Sequence, residues 1–299
     1  MTDTKRGVVG VTGASGYLGS RICSVLEREG WSVIRLVRSP APGDSTARRL
    51  DLRAPIPPEG LASIDVLIHT AYDFSLTRRQ DIWKVNVEGT RRLLSAARAA
   101  GVPRIVVLST MSAYPGTGQL YGQAKLAIEA ETLAAGGCVI RPGLVYGQGA
   151  AGMAGALLKA TRLPVVPLIA GSARQFPVHI DDLLAAIAAL ASTPDPPSAP
   201  VGVANPQPVT FKVLLETLAA QEGRRCRFVP IPWQILYAML RAGELLRLSL
   251  PFRADSLLGL VRPAPFVPHP EELERLGVVM RPFAATSPVP NANGRTTAP

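Results

Sequence analysis

Lysine is scarce in this 299-residue chain, occurring only as Lys5, Lys84, Lys125, Lys159 and Lys212, although the net charge is +10 and the pI about 10.1. Arginine therefore carries almost all of the positive charge. No run of basic residues and no basic patch interleaved with aromatics occurs, which argues against nucleic acid as a partner. The charge suits an anionic small molecule, and an anionic membrane surface is the less favoured alternative. Cys23, Cys138 and Cys226 are few, odd in number and set in apolar runs. They read as buried free thiols in a reducing cytoplasm, not as a disulfide frame. No uncharged apolar run reaches the roughly 18 residues that a bilayer span requires, and no signal peptide opens the chain. A cytoplasmic location is expected. No cluster with metal-ligand spacing occurs, so no metal is expected. Hydrophobic content of 47% and mean hydropathy of +0.20 are those of an ordinary globular protein, long enough for a large α/β domain with a smaller lobe.

Short apolar runs alternate with amphipathic ones through the first two-thirds. "GVVGVTG", "WSVIRLV", "IDVLIHT", "RIVVLST" and "CVIRP" are strand-like, while "YLGSRICSVLEREG" and "DIWKVNVEGTRRLLSAARAAG" have helical spacing. This alternation predicts an α/β fold, a doubly wound parallel sheet of the Rossmann type. "STPDPPSAP" at 192–200 reads as a surface linker. Beyond it, "TFKVLLETLAAQEG" and "WQILYAMLRAGELLRL" predict a mainly helical C-terminal substrate lobe. We expect residues 1–145 with about 172–204 in the dinucleotide domain, and about 146–171 with 205–282 in the lobe. Residues 283–299 lack periodicity and read as a disordered tail.

"TGASGYLG" follows the first strand and opens the first helix. Gly13 permits the tight turn, Gly16 lets the backbone approach a pyrophosphate, and Gly19 lets helix and sheet pack closely. Ser15, Tyr17 and Leu18 complete this cofactor loop. The second strand ends "VIRLVRSP", with Arg38 where an NAD site has a carboxylate, so NADP is preferred to NAD; Arg48 and Arg49 offer further charge for a 2′-phosphate.

"STMSAYPGTGQLYGQAK" supplies the chemistry. With Tyr121 at a helix start, Tyr121 and Lys125 share a face at i and i+4. An ammonium there favours the phenolate and lowers the tyrosine pKa from about 10, as general acid–base work requires. Thr110, at the carboxyl edge of the preceding strand, is placed to bind the same substrate oxygen.

Together with "DL" at 51–52, "HTA" at 69–71, "NVEGTRRLLSAA", "RPGLVYG" and "FPVHIDDL", these pieces resemble the extended short-chain dehydrogenase/reductases, the NAD(P)-dependent epimerase/dehydratase family. "VANPQPVTFKVLLETLAAQEG", "RADSLLGLV" and "EELERLGV" continue the resemblance to about residue 280. It implies Tyr121 as acid/base, Lys125 on the nicotinamide ribose, Thr110 as hydroxyl partner, Asp51 and Leu52 flanking the adenine, Ala71 near the cofactor, and Asn86 as a structural residue. It also implies a homodimer. "VRSP" resembles the "VRDP" of reductases that read the NADP phosphate through that arginine. Met111 and Ser112 stand where 4,6-dehydratases place Asp-Glu, which argues against that elimination. The nucleotide-sugar arginine position holds Gln175, with Arg174 one residue off, while Arg253 matches a second diphosphate position. Ser112, Arg174 and Arg253 are thus the candidate substrate contacts. His179 reads as a structural residue at a helix entry, and Asp181 and Asp182 as caps of that helix. The function expected is hydride transfer at a hydroxyl or keto carbon of a sugar, a nucleotide-sugar above all, as an epimerase or reductase; the alternatives are NADPH-dependent reduction of an apolar ketone and, least favoured, non-catalytic NADP(H) binding.

Overall fold

In β1 (Val8–Thr12), Val9 and Val11 point to one side of the sheet and Val8 to the other, and both sides are covered. That two-sided burial is what a parallel sheet between helical layers imposes. After β1 come α1 (Tyr17–Arg28), β2 (Ser32–Val37), β3 (Ala47–Arg49), β4 (Val66–His69) and α2 (Arg79–Ile82), which passes through a π-helical turn at Trp83–Val87 into α3 (Glu88–Ala99). Then follow β5 (Arg104–Leu108), α4 (Leu120–Ala134), β6 (Cys138–Pro142), β7 (Leu144–Tyr146), α5 (Gly152–Ala160), β8 (Val166–Leu168), β9 (Arg174–Gln175), β10 (Pro177–His179), α6 (Ile180–Ser192) and β11 (Val201–Val203). The chain continues with β12 (Val209–Thr210), α7 (Phe211–Ala220), β13 (Phe228–Pro230), α8 (Trp233–Leu245), α9 (Ala254–Val261) and α10 (Glu271–Arg275). This computed structural model describes residues 6–150, 152–246, 248 and 253–283.

Seven strands form one parallel sheet in the order β11-β6-β5-β4-β1-β2-β3. The expected doubly wound fold is the observed one. The order reverses at β1, so a crevice opens at the carboxyl ends of β1 and β4, where open α/β sheets bind ligands. On one face α1 and α6 cover Val9, Val11, Ile68 and Ile140; on the other α3 and α4 cover Leu67, Ile105 and Val107. Helix α1 buries Gly19, Ile22, Cys23 and Leu26, an i, i+3, i+4, i+7 stripe, and stops before Gly30 at φ +86°.

The lobe has its own core, in which Phe211, Leu214, Leu215 and Leu218 of α7 meet Leu240 of α8 and Leu257 and Leu260 of α9. Two short ladders, β8 with β13 and β9 with β12, brace it; nothing in the sequence pattern marks them. Phe283, assigned by sequence to the tail, packs edge-on against Tyr146 with ring centres 4.9 Å apart; residues 284–299 lie outside the described residues. Cys23 and Cys138 are buried free thiols, which burial pushes up to about 11 and about 12, whereas Cys226 is only half-buried. Among the described residues, no helix is long and apolar enough to cross a membrane.

Candidate active site

The glycine loop is a cradle that side chains would fill. Gly13 sits at φ +67°, and a Cβ there would lie 2.7 Å from Thr70 Oγ1; one on Gly19 would lie 2.7 Å from the carbonyl carbon of Gly13. The Gly13 carbonyl accepts the Gly16 N–H (2.9 Å), and α1 begins at Gly16 with no side-chain cap. Its first amides are thus left for an anion. These features fit the pyrophosphate of a dinucleotide. Tyr17 does not point into the cradle: its hydroxyl meets the Gln148 carbonyl (3.4 Å) and Arg21 stacks on its ring at 4.1 Å, tying the segment after β7 to α1. Leu18 packs on the first core.

From Ser15 a cleft of about 540 Å³ runs past Arg38 and Arg49 to Asp51. Arg35 in it pairs with Glu27 at 2.5 Å, and Arg53 pairs with Asp73. Arg38 and Arg49 have no partner among the described residues and are exposed. Arg48 is not available as the sequence suggested, because its guanidinium donates to the carbonyls of Ala62 (2.8 Å) and Gly60 (3.3 Å). Leu52, expected beside the adenine, is buried against Gly89, and its carbonyl accepts from Arg92 Nη2 at 2.5 Å.

A hydrogen-bond relay fixes the next segment. The Thr90 hydroxyl donates to the Asn86 carbonyl (2.7 Å) and accepts from His69 Nε2 (2.9 Å), which leaves Nδ1 to accept from Thr12 Oγ1 (2.7 Å). Thr12 Oγ1 in turn accepts the N–H of Ala71 at 3.2 Å. This tautomer is inferred from the network. Burial drives His69 down to about 3, with the Lys125 charge adding to the effect. Asn86, placed by the π turn, accepts the Asp73 N–H at 2.7 Å. The segment so held presents Tyr72 and Phe74, whose ring centres lie 5.0 and 5.5 Å from that of Tyr121. Sequence reasoning missed both; the adjacent aromatics in "HTAYDF" were the available signal.

Tyr121 and Lys125 do share a face of α4. Lys125 is buried, its Nζ donating to the Leu108 carbonyl at 2.6 Å and lying 6.0 Å from the Tyr121 ring centre. Burial lowers the Lys125 pKa to about 8, with Glu129 opposing. The expected lowering of the tyrosine is not found. Burial raises the Tyr121 pKa and outweighs a hydrogen bond from Thr110. Gly122 lets α4 approach the Ser112 carbonyl, which sets Tyr121 beside Thr110; the Ser112 N–H donates to Thr110 Oγ1 at 3.2 Å.

The lobe reaches this helix directly. Asp255, on the first residues of α9, accepts the N–H of Leu120 (2.7 Å) and of Tyr121 (3.2 Å), capping α4 from 135 residues away in sequence. Arg253 donates through Nη1 to the Phe74 carbonyl at 2.9 Å, so part of the candidate diphosphate contact already holds the aromatic segment. Arg174 stands exposed on β9 with no partner among the described residues, and the neighbouring Gln175 is buried, donating to Leu260 O at 2.9 Å. His179 is the α6 cap: its Nδ1 accepts the Asp181 N–H at 3.2 Å. Asp182, expected to cap, instead receives the Arg281 Nε at 2.8 Å and the Arg281 N–H at 3.0 Å, docking the last described residues. A separate buried network joins Ser109 and Arg141 to Glu129, with Arg141 Nη2 at 2.6 Å. Among the described residues, no group of His, Cys, Asp and Glu is placed to hold a metal.

The sequence profile of the NAD dependent epimerase/dehydratase family matches residues 9–202. The chain belongs to that family, whose members are nicotinamide-dependent enzymes. It is similar to a ceramide reductase of Caulobacter vibrioides, 32% identical over 204 residues, covering 65% of this chain and 64% of that protein. A 3-beta-hydroxysteroid dehydrogenase of Mycolicibacterium neoaurum is 30% identical over 182 residues, 49% of this chain and 50% of that one. The chain thus spans less than two thirds of the length of either relative. Among solved structures, MoeE5 in complex with UDP-glucuronic acid and NAD superposes with a TM-score of 0.63 at 26% identity, covering 85% of this chain and 97% of that one.

Proposed function

We propose that this protein is an NADPH-dependent reductase of an apolar ketone. The observation that carries the reading is the wall around Tyr121, where Tyr72 and Phe74 face the phenol at 5.0 and 5.5 Å and Arg253 is held on the Phe74 carbonyl. Such a wall favours a hydrocarbon beside the carbonyl over a hydroxylated ring. The similarity to a ceramide reductase and to a 3-beta-hydroxysteroid dehydrogenase supports the same class.

Gly13, Ser15, Gly16 and Gly19 would hold the pyrophosphate, Arg38 and Arg49 the 2′-phosphate, and Ala71 and Lys125 the nicotinamide half. The bound dinucleotide supplies the hydride. Tyr121, with its pKa raised by burial, stays protonated at neutral pH and gives its proton to the ketone oxygen. Thr110 donates a hydrogen bond to the same oxygen as negative charge builds on it. Lys125, its pKa lowered by burial to about 8, places a positive charge behind the phenol that offsets the phenolate left after transfer.

A nucleotide-sugar substrate is the second reading, favoured by the superposition on MoeE5 with its UDP-glucuronic acid. Two assays separate the readings: NADPH oxidation with long-chain ketones, and thermal shift with UDP and GDP. Ketone-dependent oxidation without nucleotide stabilisation is expected. Stabilisation by UDP with no ketone turnover would give the site to the sugar. Arg38→Ala should weaken NADPH about tenfold more than NADH, measured by fluorescence titration; equal loss removes the NADP assignment.

A further inference from the structure

Helix α8 is built inside out. Its sheltered side carries Leu240 and Gly243, with Trp233, Leu236 and Tyr237 partly buried in the lobe core. Its outward side carries Ile235, Ala238, Met239, Ala242 and Leu245, ending in Leu246 just beyond the helix, all exposed, with Gln234 and Arg241 exposed beside them. Exposure reaches 55% at Ile235, 65% at Met239 and 84% at Leu245, so these are whole side chains in water and not the edges of a core. The two charged residues of α8, Arg241 and Glu244, pair with each other at 3.0 Å, with Arg241 exposed at the side of the stripe. A surface helix normally turns such a stripe inward.

The ladder that leads into α8, with β13 ending at Pro230 and the helix starting at Trp233, carries a second exposed set. Strands β8 and β13 pair in parallel with Val229 beside Pro167, and the Val166 N–H donates to the Arg227 carbonyl at 2.8 Å. Val165, Arg227 and Val229 are all exposed, as is Arg225 two residues before. Arg225 and Arg227 have no ion-pair partner among the described residues. Exposed apolar and basic side chains thus stand together on the segment that leads into α8.

We propose that this face, α8 with the β8–β13 edge, docks on an anionic lipid bilayer. An apolar stripe with flanking arginines is the pattern of a helix lying in the headgroup plane, its apolar side in the acyl boundary and its cations on lipid phosphates. A second copy of the chain suits the face less well, because two-fold pairing sets a patch against itself and would oppose the two sets of arginines. The placement also bears on access. Helix α8 packs on α9, and α9 carries the Asp255 that caps the helix of Tyr121, so the docked face lies one helix layer from the candidate site. Docking itself requires no turnover and stands apart from the ketone reading.

Co-sedimentation of the full chain with phosphatidylcholine vesicles, with and without phosphatidylglycerol, tests this. Binding to the phosphatidylglycerol vesicles is expected to exceed binding to pure phosphatidylcholine at least tenfold and to weaken as salt rises. The double change Ile235→Glu with Met239→Glu should abolish it, and Arg225→Ala with Arg227→Ala should reduce it severalfold. Thermal shift with NADPH on every variant reports the fold whether or not a substrate is known. Equal vesicle binding by wild type and the double glutamate variant overturns the proposal. So does a dimer, seen by light scattering, that the glutamate pair converts to monomer, since the face would then belong to a second copy.

Discussion

At the glycine loop, the groups that would touch a cofactor are fixed by main chain a few residues away: Gly13 to Gly16, and Gly19 against Gly13. At the other rim of the crevice, Tyr121 is positioned by three distant segments. Asp255 holds the start of its helix, Asn86 and Arg253 hold the aromatic segment against its ring, and Leu108 anchors its lysine. The first rim takes its shape from its own main chain, and the Tyr17 bond to Gln148 ties it to the segment after β7. The second exists only when lobe and sheet are assembled. Binding of the dinucleotide and positioning of the acid are therefore separable properties, and each substitution below should move one and spare the other.

The largest separation is expected at the phenol. Tyr121→Phe should lower turnover by about 10²–10⁴, the usual weight of a positioned acid. NADPH affinity, measured by fluorescence titration, should stay near that of the wild type. Since the phenol is held protonated, ketone reduction should be flat through neutral pH and fall only in the alkaline range, whereas oxidation of the alcohol should rise with pH. An unchanged turnover in the phenylalanine variant would remove Tyr121 from the chemistry.

Acid should loosen the sheet side before the lobe. The folded state keeps His69 neutral down to about 3 against an ordinary 6.5, so the unfolded chain binds the extra proton between these values. Stability from this source is whole above about pH 6.5 and declines as pH falls towards 3, by a few kcal/mol at most. A proton on Nδ1 would also end the bond from Thr12 that holds the Ala71 segment. Urea midpoints measured from pH 7 to 4 should fall steeply in the wild type and less in His69→Gln, whose starting stability will be lower. Parallel slopes would show that the acid response lies elsewhere.

Two glycines give a smaller and more local contrast. A methyl on Gly19 meets backbone that has no room to retreat, so Gly19→Ala should cost about 1–3 kcal/mol and remove the NADPH thermal shift. A methyl on Gly259 meets the side-chain amide of Gln119 at 2.9 Å, which can swing aside. Gly259→Ala should leave cofactor binding intact and cost less. Comparable losses of NADPH shift in the two variants would contradict the idea that the rims are independent.

What was legible in the sequence follows the same division. The tight turn at Gly13, the close packing at Gly19, the strand–helix alternation and the shared face of Tyr121 and Lys125 are short-range, and the structure shows each of them. Spacing points to a lowered tyrosine pKa, whereas burial raises it, and the rings of Tyr72 and Phe74 packed beside it are brought there only by the fold. The α6 cap was assigned to Asp181 and Asp182, while His179 makes it and Asp182 holds Arg281 from 99 residues away. Arg48 reads as a phosphate ligand by its place beside Arg49, yet strand alternation turns it to the carbonyls of Gly60 and Ala62. Sequence spacing conveys what neighbours in the chain do; it is silent on which distant carboxylate meets which helix end.

Asp255 is the finest probe of that assembly. Its carboxylate replaces the missing N-cap of α4, whose own Gln119 makes no capping bond, and it adds negative charge where the helix dipole is positive. Removing a cap of this kind costs about 1 kcal/mol, too little to unfold the chain. Asp255→Ala should therefore lower Tm slightly while letting the first turn of α4, and Tyr121 with it, fray away from Thr110. We expect turnover to fall severalfold at unchanged NADPH affinity, with Asp255→Asn recovering part of the loss by accepting one of the two N–H bonds. The alternative is that Asp255 merely braces the lobe. In that case Asp255→Ala would lower Tm and leave turnover per folded molecule unchanged, and the lobe would have no hold on the acid.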